Sequence, residues 1–177
     1  LGAGAGGDWC SPNLSITSLD LSKNGVANAI TAIEGRAFAG TGDNSSGVAF
    51  SNINITDTSP PVASILGTFN GYKTNDIFGE TNYGYIATDT NSKEIVILNL
   101  INSPYTEIGY FDAPGSTDAN SIFVLGTKGY MTQGTNFRVF DLTSKIGSRS
   151  QLGSVGLAGT GTGIQVVGNY AYVSISG

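Results

Sequence analysis

Amides and carboxylates with one aromatic ring among them are the side chains best suited to hold a ligand: Asp43, Asn44, Tyr72, Lys73, Asn75, Asp89, Asn91, Asp118, Asn120 and Asn136. They fall in turn-rich stretches at 41–47, 70–75, 89–93, 112–120 and 133–136. Such groups bind through many modest hydrogen bonds, and Tyr72 adds a stacking surface, a combination suited to a sugar or a peptide. The same residue types also serve as ordinary turn formers. Catalysis has less to work with. The chain contains no His, so the one side chain whose unperturbed pKa lies near neutrality is missing and acid–base chemistry by imidazole is excluded. Glycoside hydrolysis needs two carboxylates roughly 5 to 10 Å apart, whereas the acids here stand mostly alone in turns. No catalytic residue is assigned. For calcium, Asp43-Asn44-Ser45-Ser46 and Asp89-Thr90-Asn91-Ser92 are short oxygen-rich loops, but neither has the ligand spacing of an acidic calcium loop. The expectation is no cofactor and no metal site, with calcium at those loops as the alternative.

Composition narrows the partners. A net charge of −5 with only eight scattered Lys and Arg argues against nucleic acid, because phosphate neutralisation needs clustered cations. The longest apolar stretches, such as Glu94–Leu98, are strand-length, so no segment in this chain is expected to span a membrane. Leu1–Gly7 has neither the basic nor the apolar region of a signal peptide. Residues 1–13 are rich in Gly and then in turn formers, and read as a flexible linker. Cys10 is alone and has no internal disulfide partner. Abundant Gly, Ser, Thr and Asn with few charges fit an all-β scaffold working outside a cell. The Asn-x-Ser/Thr triplets at Asn13, Asn44 and Asn54 are read as chance occurrences in an Asn-rich chain.

The elements that must position these residues are legible as a repeat. Ala37-Phe38-Ala39-Gly40, Gly84-Tyr85-Ile86-Ala87, Gly129-Tyr130-Met131-Thr132 and Ala171-Tyr172-Val173-Ser174 share one signature. A second register runs through Asn54-Ile55, Asn99-Leu100 and Asp141-Leu142, and a third through Asn28-Ala29-Ile30, Asn75-Asp76-Ile77 and Asn120-Ser121-Ile122. A shared period of roughly 42 to 47 residues suits four-stranded propeller blades. The fold class is therefore all-β, a β-propeller of four-stranded antiparallel blades spanning 14–177. Blades are expected at about 28–71, 73–115 and 118–161, with a partial fourth at 163–177. Phe38, Tyr85, Tyr130 and Tyr172 are expected to pack between neighbouring blades. Ile53 and Ile55, Leu98 and Leu100, and Phe140 and Leu142 do the same from the third strand, and Phe69, Phe111 and Val155 from the fourth. Gly67, Gly109 and Gly153 mark a bulge or a close backbone approach.

Gly168-Asn169-Tyr170-Ala171-Tyr172-Val173 and Glu94-Ile95-Val96-Ile97-Leu98-Asn99-Leu100, followed by Asn102-Ser103-Pro104, resemble LVIVD-type propeller repeats over about residues 28 to 177. Asn54 and Asn99 stand where that pattern has Asp, which Asp141 retains. The resemblance implies a bacterial or archaeal cell-surface propeller, of a kind found after prepilin-like N-terminal segments, and it implies no catalytic residue.

Three full blades and two further strands leave sheet edges open to pairing. Leu14–Leu21 alternates apolar and polar residues and is a candidate closing strand on the outside of the last blade. Two other resolutions are a larger propeller of which this is a part, and an assembly in which a neighbour fills the gap. The expected function is a non-catalytic binding or adhesion module on the cell surface, attached to a pilus-like fibre, with a protein or glycan ligand on its loop face. The alternatives are a structural subunit that self-associates through open blade edges and, third, a carbohydrate-active enzyme domain.

Overall fold

A computed structural model describes residues 19–21, 26–42, 47–56 and 63–177, and among them every regular element is a β-strand. In the first sheet β1 (Ala27–Ile33), β2 (Arg36–Thr41), β3 (Val48–Asn54) and β4 (Ser64–Asn70) pair antiparallel in chain order. The second repeats this with β5 (Thr74–Gly79), β6 (Tyr83–Thr88), β7 (Ile95–Asn99) and β8 (Thr106–Phe111). The third comprises β9 (Ala119–Leu125), β10 (Lys128–Gln133) and β11 (Asn136–Asp141), then the two-residue β12 (Gly147–Ser148) in a connection, then β13 (Gln151–Gly156). A hairpin of β14 (Thr160–Val167) and β15 (Tyr170–Ser176) forms a two-stranded fourth sheet. The first strands β1, β5, β9 and β14 pack against one another in that order, an arrangement consistent with a β-propeller-like fold.

The third-register asparagines have a structural task. Each first strand carries a β-bulge at the same place, so that Asn28, Asn75, Asn120 and Thr162 fall out of the ladder. A bulge re-aims the extra residue. Asn28 Nδ2 donates to Thr74 O at 2.8 Å, Asn75 Nδ2 to Ala119 O at 2.9 Å and Asn120 Nδ2 to Gly161 O at 2.9 Å. Each sheet thereby clasps the next. Thr162 instead turns back to Ser174 O of its own hairpin at 3.2 Å. The second register caps turns: Asn54, Asn99 and Asp141 accept from the backbone N–H two residues on, at 3.0, 2.9 and 2.9 Å. This Asx geometry accepts Asn and Asp alike, so the departures from the LVIVD pattern cost no turn.

Two apolar seams hold the three complete sheets together. Phe38, Ala49 and Phe50 of the first sheet meet Ile77, Ile86, Val96 and Leu98 of the second. Tyr85, Ile95, Ile97 and Phe111 of the second meet Ile122, Met131, Phe140 and Leu142 of the third. Strand β7 faces both seams, which is why its sequence is a continuous apolar run rather than an alternation. Phe111 and Phe140 stack at 4.7 Å with 6° between planes. Burial of such a ring contributes about 1.5–3 kcal/mol, and the pairing about 0.5–1.5 kcal/mol more.

Both expectations for the repeated glycines hold at two positions. In every complete sheet the outer strand slips register beside the glycine, at Leu66, Ile108 and Leu152. A Cβ at Gly67 would lie 2.5 Å from the Tyr105 ring, and one at Gly109 2.3 Å from Lys145 O. Over these glycines the following sheet lays its third-to-fourth connection. Tyr105 N–H donates to Thr68 O at 3.3 Å, and β12 pairs parallel with β8. Gly153 has open space above it.

The ends of the stack depart from expectation. Tyr172, equivalent to the fully buried Tyr85, is 62 % exposed, and Ile30, equivalent to Ile77 at 3 %, is 76 % exposed. Tyr172 has no following sheet against it among the described residues, and Ile30 no preceding one. For the same reason Ile55 is exposed, and Val155 is exposed on the third sheet, whose following sheet has only two described strands. Of the candidate closing strand, Leu14–Ser18 lie outside the described residues. Leu19–Leu21 carry no strand pairing, and both leucines rest on Ala37, Ala39 and Ile53 of the first sheet, not on the outside of the fourth. The 1–13 linker and Cys10 are likewise outside the described residues.

Candidate binding face

Antiparallel order brings the connections β2–β3, β4–β5, β6–β7, β8–β9 and β10–β11 to one end of the sheets. Of the expected ligand residues Tyr72, Lys73, Asp89, Asn91 and Asp118 lie in these connections, and Asn75, Asn120 and Asn136 stand at the starts of the strands that follow them. At the seam of the first two sheets the Tyr72 ring stacks on Phe69 at 6.0 Å, and its hydroxyl donates to Glu107 Oε2 at 2.7 Å. Lys93 Nζ donates to Glu107 Oε1 at 2.7 Å and to the Tyr72 oxygen at 3.3 Å, and stands 5.4 Å over the Tyr110 ring. Four elements thus converge on one half-buried charge pair. Burial, reinforced by the Glu107 carboxylate, pushes the Tyr72 hydroxyl above its usual value. The same carboxylate holds the Lys93 ammonium charged beyond the usual lysine range. Beside this cluster the exposed Lys73 Nζ lies 3.7 Å from Oδ2 of the half-buried Asp89, a pairing worth at most about 1 kcal/mol and free to exchange for a ligand.

The long β8–β9 connection is pinned from beneath. Glu94 is fully buried and its Oε2 accepts from Ala113 N–H at 2.8 Å, while Oε1 has no protein partner. Burial raises its pKa, and the Asp112 charge adds to the rise. Arg138 donates to Gln133 Oε1, Gln151 Oε1 and Pro114 O at 2.7, 2.8 and 3.1 Å, and Gln133 Nε2 to Thr117 O at 2.8 Å. The connection is a fixed platform, with Asp118 exposed at its end.

Of the ten residues expected from sequence, the structure brings together Tyr72, Lys73 and Asp89. Asn75 and Asn120 are corrected: their amides are the clasps between sheets, and repetition at one register was the signal that they serve the fold. Asn91 is exposed in the same turn as Asp89, and Asn136 opens β11 half-buried in the third sheet. Asp43 and Asn44 lie outside the described residues. Sequence reasoning missed Lys93, Glu107, Glu94 and Arg138. In a chain with eight basic and thirteen acidic residues, a charge inside or bordering an apolar strand was the available signal. Asp76 is a further one. Its Oδ1 accepts from Ile77 N–H and its Oδ2 from Ile122 N–H, both at 2.9 Å, joining the second sheet to the third. Burial raises its pKa against the pull of those two amides.

At the opposite end Lys145 is mostly buried between two rings, 5.7 Å from Tyr83 and 5.4 Å from Tyr85, with Glu80 Oε2 at 3.9 Å. Burial lowers its pKa. Tyr85 donates to the same Glu80 oxygen at 2.7 Å, and burial pushes its hydroxyl strongly upward. No group of three or more metal-ligating side chains occurs among the described residues. No described helix is long and apolar enough to cross a membrane.

Neither a family model nor a curated protein sequence matches the chain. Solved structures do. The computationally designed Ika4 protein superposes with a TM-score of 0.66 at 11% identity, covering 88% of each chain. A functionally unknown protein from Desulfotomaculum acetoxidans DSM 771 gives 0.51 at 22% identity over 69% of this chain and 38% of its own. Myxococcus xanthus glutaminyl cyclase gives 0.55 at 12% identity over 86% of this chain and 62% of its own. At these identities the likeness is one of fold alone, an all-β architecture of repeated four-stranded sheets.

Proposed function

We propose that this chain is a non-catalytic β-propeller module that works at an extracellular cell surface and binds a glycan or protein through its loop face. The carrying observation is the seam where Tyr72, Lys73 and Asp89 sit beside the Lys93–Glu107 pair. An aromatic face, one exposed cation and one half-buried carboxylate within reach of each other offer stacking and hydrogen bonds without a poised nucleophile. Asp76 gives both oxygens and Glu94 one to backbone amides, which favours structural work for them over acid–base chemistry. The likeness to a glutaminyl cyclase is one of fold and carries no activity to this chain. The LVIVD resemblance supports the surface setting and attachment to a pilus-like fibre.

An array of bacterial surface polysaccharides and extended peptides, probed with the intact chain, tests this reading. The triple variant Lys73→Ala, Asp89→Ala, Asn91→Ala is expected to lose at least tenfold in affinity with an unchanged melting temperature. Retained binding in that variant, or loss on substituting Thr81 at the opposite end, sinks the loop-face assignment.

A further inference from the structure

The connections that lead from one sheet to the next are not alike. Those after β4 and β13 occupy only 71–73 and 157–159, whereas the one after β8 runs from 112 to 118. Backbone alone ties the short ones down. Gly71 N–H donates to Gly47 O at 3.1 Å and Leu157 N–H to Thr135 O at 2.8 Å, each carbonyl belonging to the residue just before a third strand. In the second sheet that residue is Glu94, and its carbonyl is taken by Thr88 N–H at 2.9 Å. The long connection is tied instead by the Glu94 side chain, through Oε2 to Ala113 N–H at 2.8 Å. A titratable group thus stands where the other sheets use the backbone. Its second oxygen, Oε1, is buried without a protein partner, and an ionised carboxylate left so is costly. Arg138 of β11 gives its hydrogen bonds to Gln133, Gln151 and Pro114, none to Glu94. Water reaches Oε1 only if the connection lifts. Little holds it down: Ala113 is buried, but Asp112 and 114–118 are exposed, and Gly115 stands at φ +107 with open space around it.

We propose that the β8–β9 connection is a proton-operated flap, closed while Glu94 is neutral and lifted about its Gln133–Thr117 anchor when Glu94 ionises. The charged groups facing Glu94 are Asp112 on the flap, which repels its charge, and Arg138 on β11, which attracts it. Burial outweighs the pull of Arg138 and of the Ala113 and Glu94 amides, so the closed flap holds the proton more tightly than the open one. Opening therefore becomes more favourable as pH rises from the ordinary carboxyl value to the raised one, by up to about tenfold per pH unit, and levels off above it. The flap carries Asp118 onto the loop face, so lifting it alters what that face presents. The inference itself needs no ligand, because its readout is a single amide.

Amide hydrogen exchange of the intact chain, followed residue by residue from about pH 4 to 8 and corrected for the intrinsic rate, is the test. Protection of the Ala113 amide is expected to fall by at least about tenfold as pH rises over that range. Its exchange is expected to change little in dilute urea, because lifting the flap exposes little surface. Amides of the central strand β6 are expected to exchange more slowly and only through urea-sensitive global unfolding. Glu94→Gln keeps an acceptor for Ala113, and its Ala113 protection is expected to stay constant with pH and to exceed the wild-type level at pH 7. Asp112→Asn, at an exposed position, is expected to leave circular dichroism unaltered and to move the midpoint of the wild-type change to lower pH. Wild-type protection that does not vary with pH overturns the inference. So does a pH dependence that survives in Glu94→Gln, and so does an Ala113 amide that exchanges only together with those of β6.

Discussion

Asn75 and Asn120 show how a side chain with every appearance of a ligand group can belong to the scaffold. Each amide crosses a seam to a backbone carbonyl, and a typical hydrogen bond of this kind contributes about 0.5–1.5 kcal/mol net. Asn75→Ala and Asn120→Ala are each expected to lower unfolding free energy by about 1 kcal/mol in urea titrations, with the loss in the double variant close to the sum. The two buried acids separate in the same experiment. Asp76→Asn places an amide N–H₂ against one of two backbone donors, so at pH 7 a loss of about 1–3 kcal/mol is expected. Glu94 carries an oxygen with no protein partner, and Glu94→Gln removes the desolvated charge while keeping an acceptor for Ala113. A rise in stability at pH 7 is expected there, and equal losses in the two variants would contradict the assignment.

Among the elements, the connections carry more than the strands. The second strands were legible because one position repeats four times, and at Phe38 and Tyr85 burial between two sheets forces a large ring, whereas Tyr130 is half-buried and Tyr172 exposed. Outer-strand glycines were legible as close approaches, though not what approaches them. Tyr105 and the Lys145–Gly147 backbone come from the next repeat, and no local pattern announces that a connection will lie back across its predecessor. The Lys93–Glu107–Tyr72 cluster escaped for the same reason: its members come from three different stretches of sequence and meet only once the sheets stack. Gly109→Ala tests the crossing, because the added Cβ meets backbone at 2.3 Å and that backbone must move. A cost of about 1–3 kcal/mol is expected, with faster exchange of the Arg149 amide that now donates to Tyr110 O at 2.8 Å. Unchanged exchange would mean that β12 is not held where it is described.

At the scale of the molecule, stability should peak on the acid side of neutrality. Asp76 and Glu94 have raised pKa values when folded, so between the ordinary carboxyl value and their own the folded state binds more protons than the unfolded one. Stability then falls as pH rises through that window. Asp141 works in the other direction: Thr143 holds its carboxylate below the usual range, and that contribution disappears as pH falls through the lowered value. The melting temperature is expected to rise as pH falls through the raised values of Asp76 and Glu94 toward the ordinary carboxyl value of about 4, and to drop below about pH 3.5. Glu94→Gln should flatten the first limb and leave the second. A melting temperature that falls steadily from pH 7 downward would show that the buried acids do not govern this range.

The crossings over Gly67 and Gly109 also give the stack a grain. The first two sheets are each overlain by the one that follows, and each asparagine clasp reaches forward, so the sheets overlap like roof shingles laid in a single direction. Tension applied at the tail lifts the last shingle first and frees the rest one by one. Tension applied at the head draws the first sheet against everything laid over it, so the chain should resist a pull from one end more than from the other.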